Sequence, residues 1–229
     1  MFRRLMDEHV CDVWVADLAV SQPALDALLD DVELARADSF LRADDRDRFV
    51  VGAALIKLAV ARGTDLPAAA IHVDRQCPTC GKSHGQPRVL AFDVHVSVAH
   101  SGSLVAIAAT RAGPVGIDVE RRVAHRTKPV ERVVTAAEPV SHPDDLLTYW
   151  CRKESAVKAT GDGLRVPLHD VVVSSAAEPA RLVSYRGRDL TAFMTDLDLG
   201  DTYAAALTVL TASRVAVRIN PAASLLAPG

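Results

Sequence analysis

The sequence predicts an α+β protein in which each half of the chain contributes both helices and strands. Amphipathic helical stretches and short β-branched or alternating runs occur in both halves. The 229 residues, 49% hydrophobic and 24% charged, are typical of a globular chain with a sizeable core. No internal repeat is visible, and the pattern changes near residues 112–115. We therefore predict two subdomains, residues 1–112 and 113–229.

The first half begins with a predicted strand at Val10–Leu18. Two amphipathic stretches, Pro23–Ala37 and Arg46–Arg62, predict helices because apolar side chains recur at helical spacing. Ile71–Asp74 predicts a short strand. The alternating run Val94–Thr110 contains a Ser-Gly turn signal, which predicts a hairpin.

The second half begins with the strand-like run Val115–Arg122, "VGIDVERR". Predicted helices follow at Pro129–Ala136 and Pro143–Thr160, the second closed by Gly161 and Gly163. The remaining runs have the composition of strands, at Val171–Ser174, Arg181–Tyr185, Thr191–Leu197, Tyr203–Leu210 and Val215–Ile219.

Charge and hydropathy exclude several classes of protein. A formal net charge of −3 gives no basic field for nucleic acid. Asp7, Glu8 and Asp12 interrupt any apolar core of an export signal. The longest apolar runs, such as Leu104–Ala109, are far shorter than the roughly 20 residues of a membrane helix. We expect a cytoplasmic monomer with no nucleic-acid or membrane partner.

A short cysteine-rich stretch, "CPTCGKSH", spaces Cys77, Cys80 and His84 as in part of a zinc knuckle. A structural zinc ion usually has four ligands, and only three candidates occur there unless Cys11 or another histidine completes the set. The alternative is a glycine-rich turn that carries reduced thiols. Both interpretations remain open.

Two acids stand one residue apart in the strand-like run, at Asp118 and Glu120. Alternate side chains of a strand share a face, so the two carboxylates project together and repel each other. Such a pair is stable when it is solvated, shares a proton or binds a cation. The run therefore predicts either a hydrated strand end or part of a divalent-metal site.

The second long helix contains "YWCRKESAVKATGDGL". Glu154 and Lys158 are four residues apart and share one helix face, with Trp150 one turn earlier on the same side. Taken alone, this spacing is typical of a surface ion pair.

The combination of G-I-D-V-E with W-x-x-K-E-S-x-x-K about thirty residues later resembles the 4′-phosphopantetheinyl transferase superfamily. The chain length, "GQP" at 85–87 and "AHS" at 99–101 resemble its surfactin-synthetase-activating type. The motifs run from about residue 37 to 164. The resemblance implies two similar α/β subdomains packed as a pseudo-dimer, with coenzyme A in the cleft between them. It also implies Mg²⁺-dependent transfer of phosphopantetheine from coenzyme A to a carrier-protein serine, releasing adenosine 3′,5′-bisphosphate.

The resemblance assigns the residues at the reacting centre. Asp118, Glu120 and Glu154 are implied to hold Mg²⁺, whose preference for oxygen ligands suits three carboxylates. Glu154 is also implied to take the proton from the carrier serine, directly or through a metal-bound water. Lys158 is implied to stabilise the pyrophosphate and the leaving group.

The resemblance also implies residues that bind coenzyme A. Arg48 and His100 match the positions that contact its 3′-phosphate, and Arg36 is a further candidate by position. The complete set is Arg36, Arg48, Gly85, Gln86, Pro87, His100 and Ser101. The chain departs from the family at Gln86, usually lysine, and at Ala99, usually serine. These two departures predict weaker coenzyme A binding.

A run of basic residues after the two acids predicts a protein partner. Its members are Arg121, Arg122, Arg126, Lys128 and Arg132. An acidic acyl or peptidyl carrier protein would complement this charge, with Val130, Val133 and Val134 as apolar contacts. The alternative is a solvated basic face. For the whole chain, two other functions remain open: a non-catalytic module that binds coenzyme A or carriers, and a zinc-dependent interaction module at the cysteine-rich stretch.

Overall fold

The computed structural model describes residues 7–77, 79–122 and 133–226, apart from the side chain of Leu164. The chain forms two compact units. Unit 1 comprises the chain up to Arg111 together with the segment from Ala216, and unit 2 comprises Ala112–Val215. Sequence analysis assigned the last segment to the second subdomain, whereas its strand pairs inside unit 1. Both helices and sheets occur in each unit, so the predicted α+β class is confirmed.

Unit 1 contains a four-stranded sheet. Its strands are β1 (Val10–Asp17), β2 (His95–Ser101), β3 (Leu104–Thr110) and β9 (Ala216–Pro221), in the order β2-β3-β1-β9. Strands β2 and β3 form the predicted hairpin, and β1 pairs antiparallel with β3 and parallel with β9.

The helices of unit 1 cover this sheet with an apolar core. Helix α2 (Ala43–Ala61) buries most of its length in that core, together with Trp14 and Ile107 of the sheet. The predicted helix Pro23–Ala37 was wrong as a single element. It is divided into a 3₁₀ helix, Pro23–Leu28, and helix α1, Asp31–Asp38.

The division has a local cause at Asp30. Its carboxylate accepts a hydrogen bond from Glu33 N–H at 2.9 Å, and Glu33 Oε2 accepts one from Asp30 N–H at 3.2 Å. This reciprocal capping box satisfies amides that a continuous helix would bond internally, so a new helix begins there.

The predicted strand Ile71–Asp74 was also wrong. Asp74 makes an isolated antiparallel bridge with Arg88, and no strand forms from Ile71 to Val73. This bridge closes the long loop that carries the cysteine-rich stretch.

Unit 2 contains two sheets and one long helix. The three-stranded sheet has the order β4-β8-β7, from β4 (Val115–Arg121), β8 (Tyr203–Val209) and β7 (Phe193–Asp196). The two-stranded sheet pairs β5 (Val171–Val173) with β6 (Leu182–Tyr185). The long helix is α3 (Pro143–Thr160). A short helix α4 (Ala223–Leu226) follows β9 in unit 1.

Helix α3 begins and ends where the sequence predicted. At its start, Asp145 accepts a hydrogen bond from His142 N–H at 2.8 Å. At its end, Gly161 adopts a left-handed φ of 73°. The other predicted helix of this half, Pro129–Ala136, lies outside the described residues from 129 to 132, and residues 133–136 form no helix. Within the part of the chain that is described, no helix has the length and apolar character needed to cross a membrane.

Candidate functional site

The acidic strand β4 lies unusually close to α3, and Gly116 makes this possible. A Cβ atom at Gly116 would lie 2.0 Å from the carbonyl oxygen of Ser155 and 2.5 Å from the amide nitrogen of Ala159. Both are backbone atoms of α3, so a side chain at this position has no room. The glycine therefore sets the distance at which the carboxylates of β4 face the helix.

Asp118 is the buried acid of this strand, with 7% of its surface exposed. Its Oδ1 accepts a hydrogen bond from Lys158 Nζ at 2.7 Å, and the same ammonium donates to the Ile117 carbonyl at 3.0 Å. Its Oδ2 is buried and has no hydrogen-bond partner among the described residues. A buried carboxylate oxygen without a partner is costly unless a cation binds it.

The local electrostatics show how crowded these charges are. Burial raises the pKa of Asp118, the Lys158 ammonium lowers it, and the neighbouring Glu120 carboxylate raises it. Burial also raises the pKa of the Cys151 thiol, and the charges of Asp118 and Glu120 raise it further. Cys151 of α3 is therefore close to both acids of β4.

Glu154 lies between the two α3 residues that flank Asp118. It follows Cys151 by three positions and precedes Lys158 by four, so all three share one helix face. Glu154 and Glu120 are both half-buried. The structure thus brings Lys158 into contact with Asp118, places Glu120 on the same strand face, and places Glu154 on the helix face that packs there.

These residues fit a hard divalent cation. Carboxylate oxygens are the ligands that Mg²⁺ prefers. Oδ2 of Asp118 accepts no hydrogen bond from a described nitrogen or oxygen, and the Cys151 thiol beside this carboxylate is only a weak donor. The adjacent Lys158 ammonium neutralises part of the negative charge without occupying that oxygen.

Two further residues of α3, Arg152 and Lys153, are fully buried. Sequence analysis assigned no role to either, although Lys153 is the first lysine of the W-x-x-K-E-S-x-x-K motif. Arg152 binds the carboxylate of Asp196 in β7 and donates to the carbonyls of Ser174, Ser175 and Glu178. This set of bonds uses the planar guanidinium fully and fixes α3 to the sheet edge.

Lys153 makes the second buried anchor. Its ammonium contacts Glu138 Oε2 at 2.6 Å and the Val133 carbonyl at 2.6 Å. Glu138 also accepts hydrogen bonds from Thr135 N–H at 2.8 Å and Val173 N–H at 3.0 Å. Lys153 therefore ties the segment before α3 and strand β5 to the helix, one residue before Glu154.

Replacing Lys153 with methionine is expected to lower the free energy of unfolding by about 3–5 kcal/mol, since it leaves the Glu138 carboxylate buried without its cation. Urea denaturation followed by circular dichroism measures the loss. Lys82→Met, at an exposed lysine, is the control. A loss below about 1 kcal/mol in Lys153→Met, the range of exposed pairs, would contradict the anchoring role.

Unit 1 carries the predicted anion-binding residues. Arg48 donates to the Gly102 carbonyl and to Asp45 Oδ1, both at 2.8 Å, which ties the β2–β3 turn to the start of α2. Arg48 and His100 line one cavity of about 130 Å³ together with Phe40, Phe49 and Arg75. The buried Ser101 follows His100 at the end of β2.

Arg36 and Arg75 line a second cavity of about 240 Å³, so Arg75 contributes to both. Arg36 stacks over Phe40, with its guanidinium carbon 4.9 Å from the ring centroid. Arg75 stacks over Phe49 at 5.5 Å, and its Nε is buried with no hydrogen-bond partner in the described part of the chain. Sequence analysis missed Arg75, because an arginine before a cysteine turn has no recognisable spacing.

The "GQP" segment closes the cysteine-rich loop. Gly85 N–H donates to the Arg75 carbonyl at 2.7 Å. A Cβ atom at Gly85 would lie 2.9 Å from the carbonyl oxygen of Gln76, so this position also requires glycine. Gln86 is half-buried and Pro87 is buried. The Gly85 amide therefore maintains the loop.

The cysteine-rich stretch brings Cys77, Cys80 and His84 together. One potential ligand atom from each lies within 4.8 Å of the others. Backbone amides of Cys80 and Thr79 donate to the Cys77 sulfur and lower the pKa of that thiol.

Comparison with known families shows what this part of the chain is similar to. Residues 114–208 match the model of the 4′-phosphopantetheinyl transferase superfamily. This segment contains Gly116, Asp118, Glu120, Glu154 and Lys158. The predicted resemblance to this superfamily is therefore confirmed over unit 2.

Individual relatives are enzymes of the same name. The chain is 30% identical over 138 residues to a 4′-phosphopantetheinyl transferase of Bacillus subtilis, a match that covers 56% of this chain and 58% of the relative. It is 27% identical over 143 residues to 4′-phosphopantetheinyl transferase Sfp of Bacillus subtilis strain 168, with the same coverage. It is 27% identical over 164 residues to 4′-phosphopantetheinyl transferase ffp of Bacillus subtilis, covering 66% of this chain and 70% of the relative. The chain thus spans 58% of the length of the first two relatives.

Proposed function

We propose that this protein transfers the 4′-phosphopantetheine group of coenzyme A to a serine of apo acyl or peptidyl carrier proteins, with Mg²⁺ as cofactor. One observation carries the proposal. Asp118 Oδ2 is buried without a hydrogen-bond partner among the described residues, on a strand that faces Lys158 of α3. This geometry lies in the segment that matches the superfamily.

Asp118, Glu120 and Glu154 would hold the metal ion, which supplies positive charge to the coenzyme A pyrophosphate as its phosphoanhydride bond breaks. In the proposed reaction the carrier serine oxygen forms a bond to the phosphorus that bears the pantetheine arm. Glu154 accepts the proton of the serine hydroxyl. The bond to the departing phosphate of adenosine 3′,5′-bisphosphate breaks, and Lys158, held at Asp118, stabilises the charge left on it.

Unit 1 would bind the nucleotide end of coenzyme A. The cationic and polar groups proposed to bind the 3′-phosphate belong to Arg36, Arg48, His100 and Ser101. The loop proposed to contact adenine is Gly85–Pro87. We add Arg75 to this set. Its buried Nε has no hydrogen-bond partner in the described chain, and its guanidinium is fixed over Phe49. The Nε lies 3.9 Å from Glu33 Oε1, an ion pair too long for a hydrogen bond. A positioned guanidinium whose Nε makes no hydrogen bond is suited to a phosphate oxygen.

Arg75→Gln is expected to weaken coenzyme A binding about tenfold, since one charge-assisted hydrogen bond contributes about 1.5–3 kcal/mol. Calorimetric titration with coenzyme A and with 3′-dephospho-coenzyme A measures whether the loss depends on the 3′-phosphate. The preference for coenzyme A over the dephospho compound should fall about tenfold in the variant without disappearing, because the other proposed 3′-phosphate residues remain. Arg88→Gln, at a half-exposed arginine paired with Asp74, is the control. An equal loss for both compounds would contradict a contact with the 3′-phosphate.

The basic run after β4 is the proposed carrier-docking surface, and its members differ in role. Arg122 makes an ion pair with Asp144 at 3.0 Å and donates to the Tyr203 carbonyl at 3.3 Å, so it also maintains the fold. Arg121 is exposed. The predicted contacts Arg126, Lys128, Val130 and Arg132 lie outside the described residues. Val133 is buried and Val134 packs against the core of unit 2, so the structure does not present these two valines as an exposed apolar contact.

Reversing Arg126 and Lys128 to glutamate is expected to lower kcat/KM for the carrier about tenfold at low salt, because complementary charge accelerates association. The defect should shrink as salt rises and the screening length falls below about 10 Å. Turnover across a salt series at saturating coenzyme A measures it, with Arg214→Glu at an exposed arginine as control. A defect that is independent of salt would exclude steering by these charges.

Release of adenosine 3′,5′-bisphosphate tests the proposed function. The purified chain is incubated with coenzyme A, Mg²⁺ and a panel of apo carrier proteins, and nucleotides are separated by chromatography. We expect release that requires both the carrier and the metal. Tight binding of coenzyme A with no release for any carrier would support a non-catalytic binding module.

A further inference from the structure

We propose that Cys77, Cys80 and His84 form a zinc site that holds the loop between Arg75 and Arg88 in place. All three residues belong to unit 1, whereas the carboxylates proposed to bind magnesium belong to unit 2. Thiolate and imidazole ligands select zinc over magnesium.

The distances between the ligand atoms support this assignment. The two sulfurs and one imidazole nitrogen lie within 4.8 Å of one another, and Cys80 Sγ is 2.9 Å from His84 Nε2. Tetrahedral zinc with bonds of about 2.0–2.3 Å holds its ligand atoms roughly 3.4–3.8 Å apart. Movements of about 1 Å by exposed side chains are enough to reach that geometry.

The backbone of the stretch is already folded as a ligand-bearing turn. Cys77 N–H donates to the Lys82 carbonyl, and Gly81 N–H donates to the Cys77 carbonyl, both at 2.8 Å. Gly81 has a φ of +72°, which turns the chain after Cys80. Amides of Thr79 and Cys80 point at the Cys77 sulfur, where they would stabilise a thiolate bound to metal.

The protein supplies three ligands to this ion. Among the described residues, no fourth cysteine, histidine or acidic side chain joins the cluster, and Cys11 is buried in β1. We assign the fourth position to water. An ion with three protein ligands and one water exchanges more readily than one in a closed four-ligand site.

The metal would act on the loop. Gly85 N–H bonds to the Arg75 carbonyl, and Asp74 pairs with Arg88, so the cluster lies inside a loop closed at its base. Binding would fix the outer part of that loop and, with it, the segment from Gly85 to Pro87. Any consequence for coenzyme A rests on the proposed function, whereas metal binding itself does not.

Zinc content and cobalt substitution test the site in the full-length reduced protein. After metal removal and dialysis against limiting Zn²⁺, elemental analysis should find about one equivalent in wild type and less than about 0.1 in Cys77→Ser/Cys80→Ser. Co²⁺ should give a sulfur-to-cobalt charge-transfer band that Zn²⁺ abolishes. His72→Ala, at an exposed histidine of the same segment, should keep both signals.

A second variant separates this site from the proposed magnesium site. Asp118→Asn should retain the zinc equivalent and the cobalt band, even if it loses transfer. Bound zinc should also protect Cys77 and Cys80 from a thiol reagent. The reagent reports on these two thiols because Cys11 and Cys151 are buried. The proposal would be overturned by equal zinc content in the double cysteine variant, by a Co²⁺ spectrum without a thiolate band, or by rapid formation of a Cys77–Cys80 disulfide in the presence of zinc.

Discussion

Asp118→Asn is expected to lower phosphopantetheine transfer more than about 100-fold while the chain stays folded. Changing residues that only support a metal ligand costs about 10–100-fold in metal affinity or activity, so changing a ligand should cost more. Asparagine keeps the volume of the side chain and its contact with Lys158, but removes the negative charge at Oδ2. Steady-state kinetics at saturating coenzyme A, over a Mg²⁺ series, measures the loss.

A control substitution at a second aspartate shows whether the loss is specific to Asp118. Asp189→Asn changes an exposed acid of the same unit, and we expect wild-type turnover. Circular dichroism and thermal unfolding establish that both variants are folded. Turnover by Asp118→Asn within about tenfold of wild type at limiting Mg²⁺ would show that this carboxylate is not needed to hold the cation.

Gly116→Ala is expected to have the largest effect on stability. The added methyl group would lie 2.0 Å from a backbone oxygen and 2.5 Å from a backbone nitrogen of α3, and neither atom can move without shifting the helix. Overpacking in a core costs about 1–3 kcal/mol or more, and we expect a loss at or above the top of that range. Because the same contact positions Asp118 against Lys158, transfer should be lost as well. Urea unfolding followed by circular dichroism measures the change.

Gly52→Ala is the matched control, in helix α2 of unit 1. A methyl group there would lie 3.0 Å from the end of the Val98 side chain, which can adjust, and alanine favours the helix by about 1 kcal/mol. We therefore expect a much smaller change in the free energy of unfolding. Equal effects of the two substitutions would mean that the contact between β4 and α3 is not especially tight.

Local sequence signals predicted those parts of the fold that local interactions specify. Helix α3 begins at a proline after a capping histidine and ends at a left-handed glycine, and both ends are readable from the chain. The β2–β3 hairpin follows from an alternating run, a Ser-Gly turn and a second, continuously apolar run. The start of α1 also has a local signal in the sequence, the capping box formed by Asp30 and Glu33. The prediction of one continuous helix was wrong because the apolar residues keep their helical spacing on both sides of Asp30.

The site was only partly predictable, for a physical reason. Asp118 and Glu120, and likewise Glu154 and Lys158, were paired by spacing, since strand and helix periodicity places each pair on one face. Only the resemblance to the superfamily joined the two pairs into one site. The roles of Arg152, Lys153 and Arg75 were missed because their partners are distant in sequence. Arg152 binds Asp196, and Lys153 binds Glu138. A single sequence contains no signal for such pairs, so tertiary structure was needed to find them.

Intact-protein mass spectrometry most directly tests the proposed transfer of phosphopantetheine to a carrier serine. Apo carriers are incubated with coenzyme A, Mg²⁺ and either wild type or Asp118→Asn, and tandem fragmentation locates any adduct. We predict a mass increase of one phosphopantetheine group on the carrier serine with wild type, and none with the variant or with excess chelator. The proposal would be contradicted if folded wild type bound coenzyme A but modified no carrier of the panel. It would also be contradicted if Asp118→Asn modified the carrier as fully as wild type does.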